Sequence, residues 1–443
     1  MKKLFLLSLI IAGTNLITAQ DYPTILSLKK QTEIFNKNLE WKVDNVLPSI
    51  MRREGIDMWL VICFEYDTDP VYRTLNTWPG DGARRLSILI FHDSEEGFRK
   101  LSATWHGPHA SAHFYEGIFT DRSNGADGQF TALADYIKKA NPAKIGINYD
   151  NSVLDDFTHS NGLSHLHYEK LYNALDKKYR DRLVSAKKVT TGWFETRTPW
   201  EISFYNTMCE ITHELIKEFY SSSVIIPDVT TSEEVRWWIV EKIRAMGLDH
   251  WFHPSLDIIR SPENEKLYGK ENIIHRGDLL HCDVGITYMG LTTDMQHLAY
   301  VCRTDEDDAP GGLRKLYNKG LRFQQIILDE MIGGRTGNEI LKNTLERGNA
   351  EDLNPLMYSH PINYFGHGSG MTIGRTENQN FLPGSGEQPL HNNTSYAMEF
   401  SVTGPIPEWG NIDVRMGFED DIIFSNGKAY LIDGYPQSLY LIK

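Results

Sequence analysis

Cysteine is scarce in this chain, with four in 443 residues. Cys63, Cys209, Cys282 and Cys302 have neither the spacing of a zinc module nor the density of a disulfide framework. They read as small core side chains, although an even number leaves pairing open. Basic clusters are also lacking. Nothing longer than pairs such as Lys187-Lys188 occurs and the formal charge is −14, which argues against nucleic-acid and acidic-membrane partners. No apolar run reaches the ~20 residues of a bilayer span. A Gly-rich phosphate loop, a Gly-x-Ser-x-Gly elbow and a repeat of about 20–50 residues are missing too. A serine hydrolase therefore has no support.

What is present suits a large globular enzyme. Hydrophobic residues make up 41% and aromatics 11%, and the length allows two or three domains. Lys2 and Lys3 precede an apolar run from Leu4 to Ala12, followed by Thr18-Ala19-Gln20. This order predicts a cleavable export signal over residues 1–20 and a secreted or periplasmic protein. Apolar strand candidates at 56–66, 86–93 and 144–150 alternate with helical stretches at 129–140 and 169–175. They predict an α/β domain over 21–190. His106, His109 and His113 fall within it and read as scattered loop histidines. Beyond a division near Val189–Gly192, helical patterns at 200–220, 231–246 and 311–332 lead into strands, and a second domain is expected over 191–443. Ser232 reads as the N-cap of the second helix, and Trp237 and Trp238 within it as core.

The most informative run is Leu279–Cys302, two apolar strands about a turn near Tyr288–Gly290. That turn sets Asp283 and Asp294 opposite each other on one face, with Cβ atoms roughly 5 Å apart. Two buried carboxylates repel, and a divalent cation between them cancels both charges. Three later residues join them. His367 lies in Gly366-His-Gly-Ser-Gly370, where glycines let the backbone approach a site. Glu399 and Glu419 interrupt apolar strands, where a charge is costly. Four carboxylates and one imidazole form an oxygen-rich set suited to manganese, cobalt, iron or zinc. Two divalent ions balance that charge better than one and can activate water and polarise a carbonyl.

The order Asp, Asp, His, Glu, Glu, the Asp-x10-Asp spacing and the Gly-His-Gly-x-Gly segment resemble the M24 metallopeptidases. These are the methionine aminopeptidase, aminopeptidase P and prolidase group. The helix from Trp200 resembles the opening helix of their catalytic domain. The run from Val414 resembles their final Arg-x-Glu-Asp strand, with two extra residues between Arg415 and Glu419. The resemblance implies an α/β (α+β) architecture: a creatinase-like N-terminal domain that shapes oligomers, here a homodimer, then a pita-bread catalytic domain. It also implies that Asp294 and Glu419 bridge two metal ions, manganese first among the choices. Asp283 would complete one ion, His367 and Glu399 the other, and Glu399 would shuttle protons.

Family members usually carry a second histidine seven residues after the metal histidine; here that position is Gly374. Another stands roughly seventeen residues before the first aspartate, where this chain has Glu265, Lys266 and Leu267. His360, His391, His253 and Tyr268 are the candidate replacements, and His360 and Arg415 the candidate substrate-binding residues. The expected activity is metal-dependent removal of the N-terminal residue from peptides, with proline second. The alternative is a lyase or C–N hydrolase acting on a small metabolite. A metal-free enzyme or a binding-only relative would be expected to have lost ligands.

Overall fold

The computed structural model describes residues 22–78, 82–104, 115–120, 123–150, 160–435 and 438–443. The expected export signal and the trio His106, His109 and His113 lie outside them.

The first half centres on β1 (Met58–Cys63), whose six residues are all buried. A continuous apolar run of this kind is a strand covered on both faces. It pairs antiparallel with β2 (Ser87–Ser94), which continues to β3 (Gly97–Ser102) and β4 (Glu116–Gly117). On its other side it pairs parallel with β5 (Ile145–Ile147), followed by β6 (Leu183–Ser185). The helices Leu28–Asn45, Leu47–Glu54 and Gly125–Ala140 accompany this sheet. The helix Lys187–Glu195 spans the segment where the sequence pattern divides.

The helix Pro199–Phe219 opens on a capping box, with Thr198 and Glu201 bonding each other's backbone N–H and proline in the first turn. Both devices satisfy or remove donors that a helix start leaves unpaired. The helix Ser232–Ala245 starts the same way, but its N-cap is Thr231, paired with Glu234, rather than Ser232. Trp237 on this helix is 52% exposed, contrary to the core expectation. Its ring meets His253 edge-on.

The second sheet runs β12 (Pro355–Pro361), β13 (Thr394–Ile406), β14 (Ile412–Ser425), β11 (Met295–Val301), β8 (Leu279–Val284), β7 (Ser255–Ile259). The short strands β9 (Thr287–Tyr288) and β10 (Leu291–Thr292) continue the β8–β11 hairpin to its tip, β15 (Lys428–Leu431) pairs with β14, and β16 (Tyr440–Ile442) pairs with β11. The helices Gly311–Glu330 and Gly337–Ala350 pack on one face, burying Phe323, Phe400 and Phe418 among others. Another core runs from the helix Leu28–Asn45 through Trp193 and the helix Pro199–Phe219 to Val284 and Met295, joining the two halves. Among the described residues no helix is long and apolar enough to cross a membrane. All four cysteines are buried and unpaired.

The hairpin tip differs from the expected one. Tyr288 pairs with Leu291, and Met289 and Gly290 form a two-residue turn with φ of 50° and 79°. Positive φ at both positions is the primed turn whose twist suits a tight hairpin. Asp283 therefore lies opposite Gln296, not Asp294. The discrepancy is two residues, one full side-chain period, so both aspartates still share a face.

A carboxylate-rich candidate metal centre

Cross-strand partners point to the same side of a sheet. One row therefore reads Tyr358, Glu399, Glu419, Gln296, Asp283 across β12, β13, β14, β11 and β8. Two residues along, on the same face, come His360 on β12 and Asp421 on β14, with Asp294 just before β11. Five strands thus deliver acids and a histidine to one patch. Ligand atoms of Asp283, Asp294 and Glu419 lie within 4.8 Å of one another, as do those of His360, Glu399 and Glu419, and those of Asp294, His360 and His367.

Several of these atoms lack partners. Asp283 Oδ1, Asp294 Oδ1, Glu419 Oε1 and His360 Nε2 are buried without a hydrogen bond. His360 Nε2 stands 3.7 Å from both Asp294 and Glu419, too far for a hydrogen bond but consistent with atoms gathered around a common cation. Its Nδ1 lies 3.2 Å from the carbonyl oxygen of Pro361, an arrangement that orients metal-ligating imidazoles. Gln296, which the sequence pattern did not single out, donates to Glu419 Oε2 at 2.7 Å.

The electrostatics suit a site that binds cations. Burial, followed by the charges of Asp283, Asp421 and Glu399, holds Asp294 well above the carboxylate range. Glu419 is raised by burial and by Asp294, Glu399 and Asp283. Burial pushes Asp283 up to about 6 and Glu399 up to about 7. It drags His360 down to about 3, helped by His367. A neutral imidazole beside crowded carboxylates is a ligand set suited to divalent cations.

The two histidines differ in setting. His360 is 1% exposed and faces the acids. His367 is exposed, sits edge-on to His360 at 4.7 Å between ring centroids, and meets Trp251 at 5.3 Å. They are seven residues apart, the separation of the family's inner and outer histidines. Counted seven residues onward from His367, the second position is Gly374. That residue has φ +71°, and a Cβ there would stand 2.3 Å from the Met357 carbonyl oxygen. The backbone there leaves no room for a side chain.

Among the other candidates, Arg415 is exposed on the Glu399 face, with Nε bound to Ser401 at 2.9 Å. His391 lines a separate cavity with Arg53, Lys187 and Glu195. Tyr268 stacks on His275 at 3.6 Å. His253 is exposed beside Trp237. Trp251 walls the site: a Cβ on Gly366 would strike its ring at 2.2 Å. Behind the sheet, His213 and His297 both reach Asp420 Oδ1, at 3.1 and 3.0 Å.

Site and sheet together define a candidate dinuclear divalent-metal centre on a pita-bread scaffold preceded by an α/β domain. The model of metallopeptidase family M24 matches residues 204–426, just over half of the chain. The protein belongs to that family. None of the curated proteins matches. Among solved structures, an X-Pro aminopeptidase from Thermotoga maritima is 15% identical with a TM-score of 0.61, covering 89% of this chain and 99% of that one. A Xaa-Pro dipeptidase from Bacillus anthracis is 19% identical at 0.59, covering 91% and 99%. The N-terminal domain of the FACT complex subunit SPT16 from chickpea is 14% identical at 0.57, covering 93% and 99%. At these identities the likeness is one of fold.

Proposed function

We propose that this protein is a dinuclear-metal aminopeptidase that releases the N-terminal residue of peptides with proline second. The observation that carries this reading is that Asp283, Asp294, Glu419 and His360, each with a buried unpaired atom, fall into overlapping clusters of possible metal ligands. In this reading Asp283, Asp294, Glu399, Glu419 and His360 hold two divalent ions. Asp294 and Glu419, the two most raised by neighbouring carboxylates, would be central to that ligand set, with manganese favoured over cobalt, zinc or iron. When bound, the ions supply Lewis-acid polarisation of the scissile carbonyl and activate water. His360 takes the inner position first assigned to His367, and His367 the outer one.

The chain's own groups do the rest. Glu399, which burial brings to about 7, can accept the proton of the attacking water and return it to the leaving amine nitrogen. His367 stays neutral, since burial lowers its pKa, and turns one N–H toward the substrate's carbonyl oxygen. Arg415 meets the peptide at the rim, and Trp251 narrows the mouth. The Thermotoga and Bacillus proteins carry Xaa-Pro names, which supports proline in the second position. Export after loss of residues 1–20 and assembly as a homodimer complete the proposal.

The test is elemental analysis of purified protein, followed by assays of Xaa-Pro and matched Xaa-Ala peptides. About two ions per chain with selective Xaa-Pro cleavage is expected. Folded, metal-loaded protein that cleaves neither series would shift the reading to C–N hydrolysis or lysis of a small metabolite. N-terminal sequencing of the exported protein checks the leader.

A further inference from the structure

Lys42, in the helix Leu28–Asn45, is completely buried. Its Nζ donates to Glu201 at 3.3 and 3.2 Å and to the Tyr364 hydroxyl at 3.3 Å. It also lies over the rings of Trp193 and Tyr364, at 4.8 and 5.0 Å. The Tyr364 hydroxyl donates in turn to Glu201 at 3.1 Å. Glu201 is already committed to the capping box at the start of the helix Pro199–Phe219 and accepts from Asn38 at 3.2 Å. Arg197 stands 3.6 Å from the same carboxylate and 5.1 Å over the Tyr364 ring. Three distant parts of the chain therefore meet at one buried point.

Tyr364 belongs to the segment between His360 and His367. The Asn363 carbonyl oxygen accepts from Thr292 N at 3.0 Å and Thr292 Oγ1 at 3.1 Å. Gly368 N donates to Pro361 O at 2.8 Å. The described contacts thus pin Asn363 on one side and Tyr364 on the other, and His367 follows three residues later, an exposed residue between the buried Gly366 and Gly368. We propose that Lys42 is a positioning residue: its ammonium, reaching from the N-terminal half, holds Tyr364 and so fixes where His367 stands over the metal site. The inference rests on the aminopeptidase reading for its effect on turnover, though not for its effect on the segment.

Charge counting supports the choice of Lys42. Two cations, Lys42 and Arg197, share the one carboxylate of Glu201, with Trp193 packed from the helix Lys187–Glu195. Burial and Arg197 pull Lys42 down to about 7, against the opposing pull of Glu201. Loss of that proton leaves Arg197 and Glu201 balanced. The charged clamp is thus complete below about pH 7 and is lost as pH rises through it.

The test uses full-length metal-loaded protein with Lys42→Met, which keeps the stem and removes the charge. Tyr364→Phe, which keeps the ring, is the second variant should the first fail to fold. Hydrogen exchange at pH 6, read by mass spectrometry over residues 361–370, should speed up in both, with metal content unchanged. On a Xaa-Pro peptide, kcat should fall about ten-fold, the loss expected of one charge-assisted hydrogen bond, with KM little altered. The ratio of wild-type to Lys42→Met kcat should shrink as pH rises through about 7, since Glu399 titrates alike in both. Unchanged exchange over 361–370 in both folded variants would overturn the inference. Accelerated exchange with no peptide turnover even by wild type would sink the aminopeptidase reading alone.

Discussion

Replacing a metal ligand usually weakens a protein, yet Asp283→Asn should stabilise the metal-free form of this one. Asp283 Oδ1 is buried without a partner, and burial moves the carboxyl from 3.8 to about 6. At neutral pH that displacement costs about 3 kcal/mol of folding stability. The sign follows from protonation: below about pH 4 the group is neutral in both folded and unfolded chains, and the cost is absent. It grows as pH rises and is complete above about pH 6. A domain of 150–250 residues shifts about 2–4 °C per kcal/mol, so the chelated variant should melt about 6–12 °C above wild type at pH 7.5 and level with it near pH 4. Adding manganese reverses the order. At one hundred times Kd each site contributes about 2.7 kcal/mol to wild type, and the variant loses much of that. Calorimetry of chelated and manganese-loaded protein at both pH values reads all four states. A chelated variant less stable than wild type at both would show that Asp283 is not stranded. A wild type indifferent to manganese, cobalt, zinc and iron would remove the metal centre.

The histidine assignment separates cleanly: His360→Ala should lower metal content per chain, whereas His367→Ala should keep both ions and lose about 10²–10³ in kcat. Elemental analysis with steady-state kinetics distinguishes them, and the reverse pattern would restore His367 to the inner position. Glu399→Gln keeps the shape but cannot carry the proton, so turnover should drop about 10²–10⁴-fold with the fold intact; circular dichroism and kinetics on one sample decide it, and wild-type turnover would clear Glu399 of the role. Gly374→His should not restore a catalytic donor. With φ at +71° and the Met357 carbonyl oxygen 2.3 Å from any Cβ, it should destabilise by about 2 kcal/mol or more, and a gain in Xaa-Pro hydrolysis would contradict that geometry.

Much of the centre was legible because strand side chains alternate with a period of two. Asp283, Asp294, Glu399 and Glu419 stood out as charges in apolar strands, and an error of two residues in the hairpin register left the shared face intact. The α/β character of the first half and the main helices followed from the same periodicities, with the Thr231 cap one residue from its expected place. Cys282, read as a small core side chain, lies opposite His297 behind the sheet.

Other features depend on pairings between distant segments, which local pattern does not encode. His360 faces the carboxylates because β12 pairs with β13 in the register that sets Tyr358 opposite Glu399, and no local pattern places it there. Gly374 looked like a deleted histidine until the bridge between Ser359 and Ile373 brought backbone against it. Lys42 gave no signal, since a lysine in a polar helix reads as solvated, and only packing that brings together residues 159 and 322 positions away makes it a buried cation. The sequence by itself determined which residues could afford chemistry, through local periodicity and the cost of burying charge. The tertiary structure decided which of them meet, because contact between remote segments is set by the packing of the whole core.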